Sequence, residues 1–177
     1  MRVDEQGWVR EAERIPSPNC DDRPSGDIPL LVIHNISLPP GQFGGDGVQR
    51  LFTNTLDVKA HPYYQTLAGL KVSAHFFIRR DGHLIQFVSC LQRAWHAGAS
   101  CWQEMQRCND YSLGIELEGS DHLPFTDAQY AVLQQLTLAL RTRYALRGIA
   151  GHSDIAPQRK TDPGPHFDWL RYLISLS

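Results

Sequence analysis

The sequence predicts an α/β fold in which a mixed central β-sheet is flanked by helices, and three observations carry that expectation. Short apolar runs rich in branched residues, IPLLVIH at 28–34 foremost, have the length of buried strands and fall short of a typical helix. Apolar residues recur at helical spacing across TDAQYAVLQQLTLALRTRY and again across FDWLRYLISL. Strand-type and helix-type runs are interspersed, the arrangement expected of a sheet packed between helices.

Taken in order, residues 28–34 form a strand that ends at His34, and the Gly- and Pro-rich stretch NISLPPGQFGGDG beyond it supplies one wall of a cleft. KVSAHFFIRR and HLIQFVS flank Asp81-Gly82, a dipeptide suited to a tight turn, so these two runs pair as an antiparallel hairpin. YSLGIELEG alternates, with Leu113, Ile115 and Leu117 on one face and Gly114, Glu116 and Glu118 on the other, which makes it a strand with a polar face. The long helix opens on Thr126 with Gln129 three residues on, a capping box, and turns Tyr130, Leu133, Leu136, Leu140 and Tyr144 toward the core. GIAGH is a short strand ending at His152, and the closing amphipathic helix buries Phe167, Leu170, Leu173 and Ile174.

At 177 residues and 42% hydrophobic, with no repeat or low-complexity tract, the chain reads as a single domain, 1–177, able to bury about 70% of its unfolded surface. A formal net charge of −2 gives no field to hold nucleic acid or an anionic membrane, so neither is an expected partner. MRVDEQGWVREAERIPSPNCD is charged and broken by prolines, without the apolar segment of a secretory signal, which predicts a cytoplasmic protein. No apolar run approaches the roughly 20 residues of a membrane span. The four cysteines, Cys20, Cys90, Cys101 and Cys108, form no CxxC pair and read as reduced thiols. A Cys101 to Cys108 disulfide or a thiolate zinc site is the alternative, which cytosolic redox poise and the spacing disfavour.

Chemistry concentrates in GHSDIAPQRKTDPGP at 151–165, where His152, Asp154, Arg159, Lys160 and Asp162 stand among three prolines. His34 and His152 each end an apolar strand, the place where α/β sheets collect ligands. With Asp162 as third donor they would form a catalytic zinc site, three protein ligands with a fourth position open. The competing reading makes each histidine a hydrogen-bonded core or rim residue. Among the others, His75 lies inside a strand run and His96 in AWHAG could line the cleft, while His61, His83, His122 and His166 lie in turn-like, exposed surroundings. A carboxylate buried without a partner would neutralise, so at least one of Glu116 and Glu118 faces something polar; an exposed edge or an arginine partner is the alternative.

The runs LVIHNISLPPGQFGG, HPYY, VSAHFFIRRDG, AWHAG, RCNDYSLGIELEG and GHSDIAPQRKTDPGPHFDW, in this order and spacing, resemble the cytosolic anhydro-muramyl-L-alanine amidases of the zinc amidase and peptidoglycan-recognition-protein superfamily. The resemblance runs from about Gly7 to Trp169. It implies the fold of that superfamily, one zinc ion per chain held by His34, His152 and Asp162, and catalytic roles for Glu116 and Lys160. It also implies substrate contacts from Asn35, Lys71, Trp95 and Arg107 and a soluble anhydro-muropeptide as substrate; a monomer is the expected state, although the sequence does not determine it. Lys71 stands where the family pattern has arginine, which keeps the charge but loses the bidentate fork for a peptide carboxylate.

The implied reaction cuts the amide between anhydro-muramic acid and L-alanine in recycled wall fragments and, through the fragments removed, affects other genes, β-lactamase genes among them. Zinc lowers the pKa of water from about 15.7 to about 7, worth roughly 12 kcal/mol. Glu116 would move the proton from water to the leaving amine, and Lys160 would stand beside the oxyanion. The alternatives are a lytic amidase acting on polymeric peptidoglycan, a non-catalytic peptidoglycan-binding module, and a metal-free structural domain. Loops around 38–47 and 57–70 are long enough to close over the cleft.

Overall fold

The apolar runs become strands that pair mostly in parallel, and their order fixes where the chemistry collects. The computed structural model describes residues 1–177, with β1 (Glu13–Arg14), β2 (Cys20–Asp22), β3 (Leu30–Ile36), α1 (Gly47–Phe52), α2 (Pro62–Gln65), β4 (Phe76–Ile78), β5 (Leu84–Gln86) and β6 (Gln92–Ala94) in its first half. There follow β7 (Cys101–Trp102), β8 (Met105–Gln106), β9 (Ser112–Glu118), α3 (Asp127–Arg143), β10 (Gly148–Gly151), α4 (His152–Ile155) and α5 (Trp169–Ile174). The main sheet has six strands in the order β1-β5-β4-β9-β3-β10. The pairs β4–β9, β9–β3 and β3–β10 are parallel, whereas β4 and β5 form the antiparallel hairpin expected at Asp81-Gly82.

Both faces of the sheet are covered, as parallel strands require. On one face Leu31, Ile33, Leu113, Ile115 and Leu117 meet Leu133, Leu136 and Leu140 of α3. On the other, Leu30 and Val32 pack with Ala97, Cys108, Ala150 and Ile155, and nearer the hairpin edge Phe77 and Ile85 pack with Leu51 and Phe52 of α1. The polar face expected of β9 is therefore an interior one. Glu118 is buried there and accepts hydrogen bonds from the backbone N–H groups of Gly44 (2.6 Å) and Arg80 (2.9 Å).

The capping box of α3 forms as expected, the Thr126 hydroxyl accepting from the Gln129 N–H at 3.1 Å and Gln129 Oε1 from the Thr126 N–H at 3.0 Å. The same Gln129 side chain, fully buried, donates from Nε2 to the carbonyls of Ile78 (3.2 Å) and Glu118 (2.9 Å), so it joins the helix start to the ends of β4 and β9. Gln129→Ala would leave these groups unpaired, and urea denaturation should show a loss of about 2–4 kcal/mol.

Three expectations are corrected. β3 does not end at His34, because His34, Asn35 and Ile36 continue to pair with Glu116, Leu117 and Glu118. The hairpin strands are three residues each, and His75 lies just outside β4, its Nδ1 accepting from the Gly114 N–H at 3.0 Å. Of the stripe expected to be buried at the last helix, Phe167 is in the core just before α5, but Leu170, Leu173 and Ile174 face water, exposed by 72%, 47% and 64%. Asp168 caps the Arg171 N–H and starts the helix at Trp169, two residues later than the apolar pattern, so Trp169, Tyr172 and Leu176 face the core instead. The Tyr172 hydroxyl is satisfied by Thr137 at 2.7 Å. All four cysteines are free thiols, so no Cys101 to Cys108 disulfide forms. No helix is long and apolar enough to cross a membrane.

Candidate metal centre and cleft

Strand register brings His34, Glu116 and His152 together, and a loop adds Asp162. His34 in β3 stands opposite Glu116 in β9, and Gly151 at the end of β10 stands opposite Ile33, so His152, the next residue, reaches the level of His34. Asp162 arrives from the loop after α4. The His34 Nδ1 lies 3.0 Å from His152 Nδ1 and 3.0 Å from Asp162 Oδ2, and His152 Nδ1 lies 3.1 Å from the same oxygen. All three residues sit at the carboxyl end of the parallel strands, the crevice where α/β sheets bind ligands.

The donor set fits a metal ion. Tetrahedral zinc with bonds of about 2.0–2.1 Å holds its donors about 3.3 Å apart, close to the observed triangle. His152 Nε2 is 3.1 Å from the carbonyl of Ala97, which can only accept, so Nε2 carries the proton and Nδ1 offers a lone pair. Burial, only partly opposed by Asp162, brings the pKa of His34 down to about 4, leaving a neutral imidazole at pH 7. Burial pushes Asp162 upward, but His152 and His34 beside it outweigh that and hold it below the ordinary carboxylate range. Two imidazole nitrogens and a carboxylate oxygen aimed at one point make a donor set that a cation can join. His34, His152 and Asp162 could hold such an ion.

Glu116 adds a buried carboxyl on the same row. It is 9% exposed, and its Oε2 has no hydrogen-bond partner. Burial first, and Asp162 second, raise its pKa well above the ordinary 4.5, with Lys160 pulling the other way. Such a group is poised to exchange protons with whatever enters.

The entrance is a cleft of about 690 Å³ whose walls include Asn35, Tyr63, Trp95, Glu116, Lys160 and Asp162. Of the expected substrate contacts, Asn35 and Trp95 line this cleft. Asn35 Nδ2 donates to Asp121 Oδ1 (2.7 Å) and to the Pro163 carbonyl (3.1 Å), tying β3 to the loop that carries Asp162. Lys71 borders a smaller groove that shares Leu51, Leu67 and Leu70 with the cleft wall. Arg107 lies outside both linings, exposed and paired with Asp110 at 3.1 Å. Sequence reasoning gave no role to Gly114 and left His96 as one cleft candidate among several. The structure places His96 against His34, with Gly114 beneath its ring; a strand glycine on the same face as Glu116 was the available signal.

The profile of the N-acetylmuramoyl-L-alanine amidase family matches residues 24–165. The 1,6-anhydro-N-acetylmuramyl-L-alanine amidase AmpD of Citrobacter freundii is 57% identical over 175 residues, covering 97% of this chain and 93% of that protein. The crystal structure of a selenomethionine AmpD derivative superposes with a TM-score of 0.97 at 55% identity and covers 100% of both chains. Escherichia coli N-acetylmuramyl-L-alanine amidase AmiD in complex with anhydro-N-acetylmuramic acid-L-Ala-D-γ-Glu-L-Lys is 29% identical, with a TM-score of 0.60 over 98% of this chain and 65% of that one.

Proposed function

The chain belongs to the N-acetylmuramoyl-L-alanine amidase family, and on that premise we propose that its cleft is a zinc-dependent catalytic centre built from His34, His152, Asp162, Glu116 and Lys160. The protein is a recycling amidase, hydrolysing the bond between 1,6-anhydro-N-acetylmuramic acid and the L-alanine of a small muropeptide. The observation that carries the catalytic reading is the convergence of two imidazole nitrogens and a carboxylate oxygen within 3.1 Å of one another beside a buried, unpartnered carboxyl in one cleft.

In this reading His34, His152 and Asp162 hold zinc, which when bound supplies the Lewis acidity that makes water a nucleophile at neutral pH. Glu116 accepts a proton from the attacking water and returns one to the amine of the departing L-alanine. Lys160 lines the cleft two residues before Asp162, and its ammonium stabilises the oxyanion that forms on the lactyl carbonyl. Trp95 supplies an apolar wall for the sugar ring, and Asn35 a polar edge for the peptide. Lys71 and Arg107, off the cleft lining, would meet the outer carboxylates of the stem peptide. We assign the whole of 1–177 to one amidase domain acting as a cytoplasmic monomer, apart from membrane and nucleic acid; the family match over residues 24–165 supports the single domain, and a net charge of −2 gives no field to hold nucleic acid.

Mass spectrometry of products from purified protein mixed with a soluble anhydro-muropeptide, and separately with intact sacculi, each with and without a zinc chelator, tests the proposal. Peptide released from the anhydro-muropeptide and lost on chelation is the expected outcome. Release that survives complete zinc removal would overturn the metal role, and equal release from sacculi would move the substrate assignment to polymeric wall.

A further inference from the structure

We infer that His96 is a positioning residue for the metal centre: a one-way hydrogen-bond relay from the Cys108 carbonyl through Ser112 and His96 protonates His34 at Nε2 and so keeps its Nδ1 free to ligate. This rests on the zinc reading above.

The relay is read from its fixed end. The Ser112 hydroxyl lies 2.6 Å from the backbone carbonyl of Cys108, and between two oxygens only the serine has a proton to give. Its oxygen is left as an acceptor, 3.2 Å from His96 Nε2, so that nitrogen carries the proton and donates. A neutral His96 then has its lone pair on Nδ1, which lies 2.9 Å from His34 Nε2 and can only accept from it. His34 consequently bears its proton on Nε2, and Nδ1, the atom facing His152 and Asp162, is bare. Each link forces the next, and the direction originates at a backbone carbonyl that no pH change in the working range can reverse.

Two further observations agree. The rings of His34 and His96 meet edge on, with centroids 5.0 Å apart at 86°, the geometry of an N–H aimed at a neighbouring nitrogen. Gly114 leaves room for the His96 ring, since a Cβ there would come within 2.5 Å of it. His152 reaches the same state by a separate route, through the Ala97 carbonyl. Both imidazoles are thereby locked to present Nδ1, which is how outer hydrogen bonds orient ligating histidines in general.

The test uses the full chain in three variants. His96→Leu removes the acceptor, His96→Asn retains one near the Nδ1 position, and Ser112→Ala removes the source of direction with minimal change of packing. In competition with a chromophoric chelator, His96→Leu should bind zinc about 10–100-fold more weakly than the parent, with His96→Asn recovering most of that loss. In the metal-free parent at pH 7, ring nitrogen shifts of His34 by NMR should report protonation at Nε2, and in Ser112→Ala a mixture of the two tautomers. Equal weakening by leucine and asparagine, or unchanged zinc affinity in a folded His96→Leu, would overturn the relay. A parent His34 protonated at Nδ1 would do so as well, independently of zinc. A parent that shows the Nε2 tautomer yet binds no zinc would instead overturn the zinc reading on which the positioning role depends.

Discussion

Asp162→Ala is expected to lose zinc and turnover together, with zinc affinity falling by more than the roughly 100-fold that a lost outer-shell partner costs. The side chain supplies the only negative charge among the three donors, and it is the one donor delivered by a loop rather than by the strand register that holds His34 and His152 level. Removing it leaves two imidazoles and an extra open position, a site that favours no particular geometry. Thermal denaturation gives a readout that does not depend on substrate. At free zinc one thousand times Kd, the parent gains about 4 kcal/mol from bound metal, which for a chain of this size is on the order of 8–16 °C in Tm. Chelation should remove that increment from the parent and do nothing to Asp162→Ala. A variant that still binds one zinc with parental affinity would remove Asp162 from the centre.

The sequence carried the site more fully than it carried its surroundings, for a physical reason. His34 lies in an apolar, β-branched strand and His152 directly follows the short apolar strand GIAG, opening α4 where the sequence had it end the strand, so neighbouring parallel strands carry both to one edge. The capping box at Thr126 and Gln129 was legible because both halves of it are local. What depended on distant neighbours was not. Whether β9 showed its glutamates to water or to the interior turned on what packs across the sheet, and the answer is the His96 segment and the 36–47 loop. The apolar stripe of α5 was misread because one capping residue, Asp168, rotates it, and a short helix averages out no such offset. His96 lay in plain view beside Trp95, yet its link to Ser112 and Cys108 joins segments whose approach no periodicity records.

Glu116→Gln is expected to keep its zinc and lose about 10²–10⁴-fold in kcat, the usual weight of general acid–base catalysis. Glutamine fills the same space opposite His34 in the register and can still hydrogen bond to water, but it can neither take nor return the proton that the leaving L-alanine needs. The same change should make the metal-free protein more stable by about 1–2 kcal/mol at neutral pH, because a neutral amide avoids the cost of burying a carboxyl that is ionised in the unfolded chain. Activity down and stability up in one variant is the mark of a group held at a cost for its chemistry; a merely structural glutamate would lose both. The sign of the titration follows from the same burial. In the metal-free chain Glu116 should hold its proton to a pH above the ordinary 4.5, so the stability it favours is present below that value and drains away as pH rises through the raised one. A carboxyl carbon NMR titration with its midpoint at or below 4.5 would remove the desolvated acid–base role. In the zinc form the cation opposes burial, and the ionised, proton-accepting state extends to lower pH. The acid limb of kcat/KM should therefore lie below the metal-free midpoint, and Glu116→Gln should flatten it.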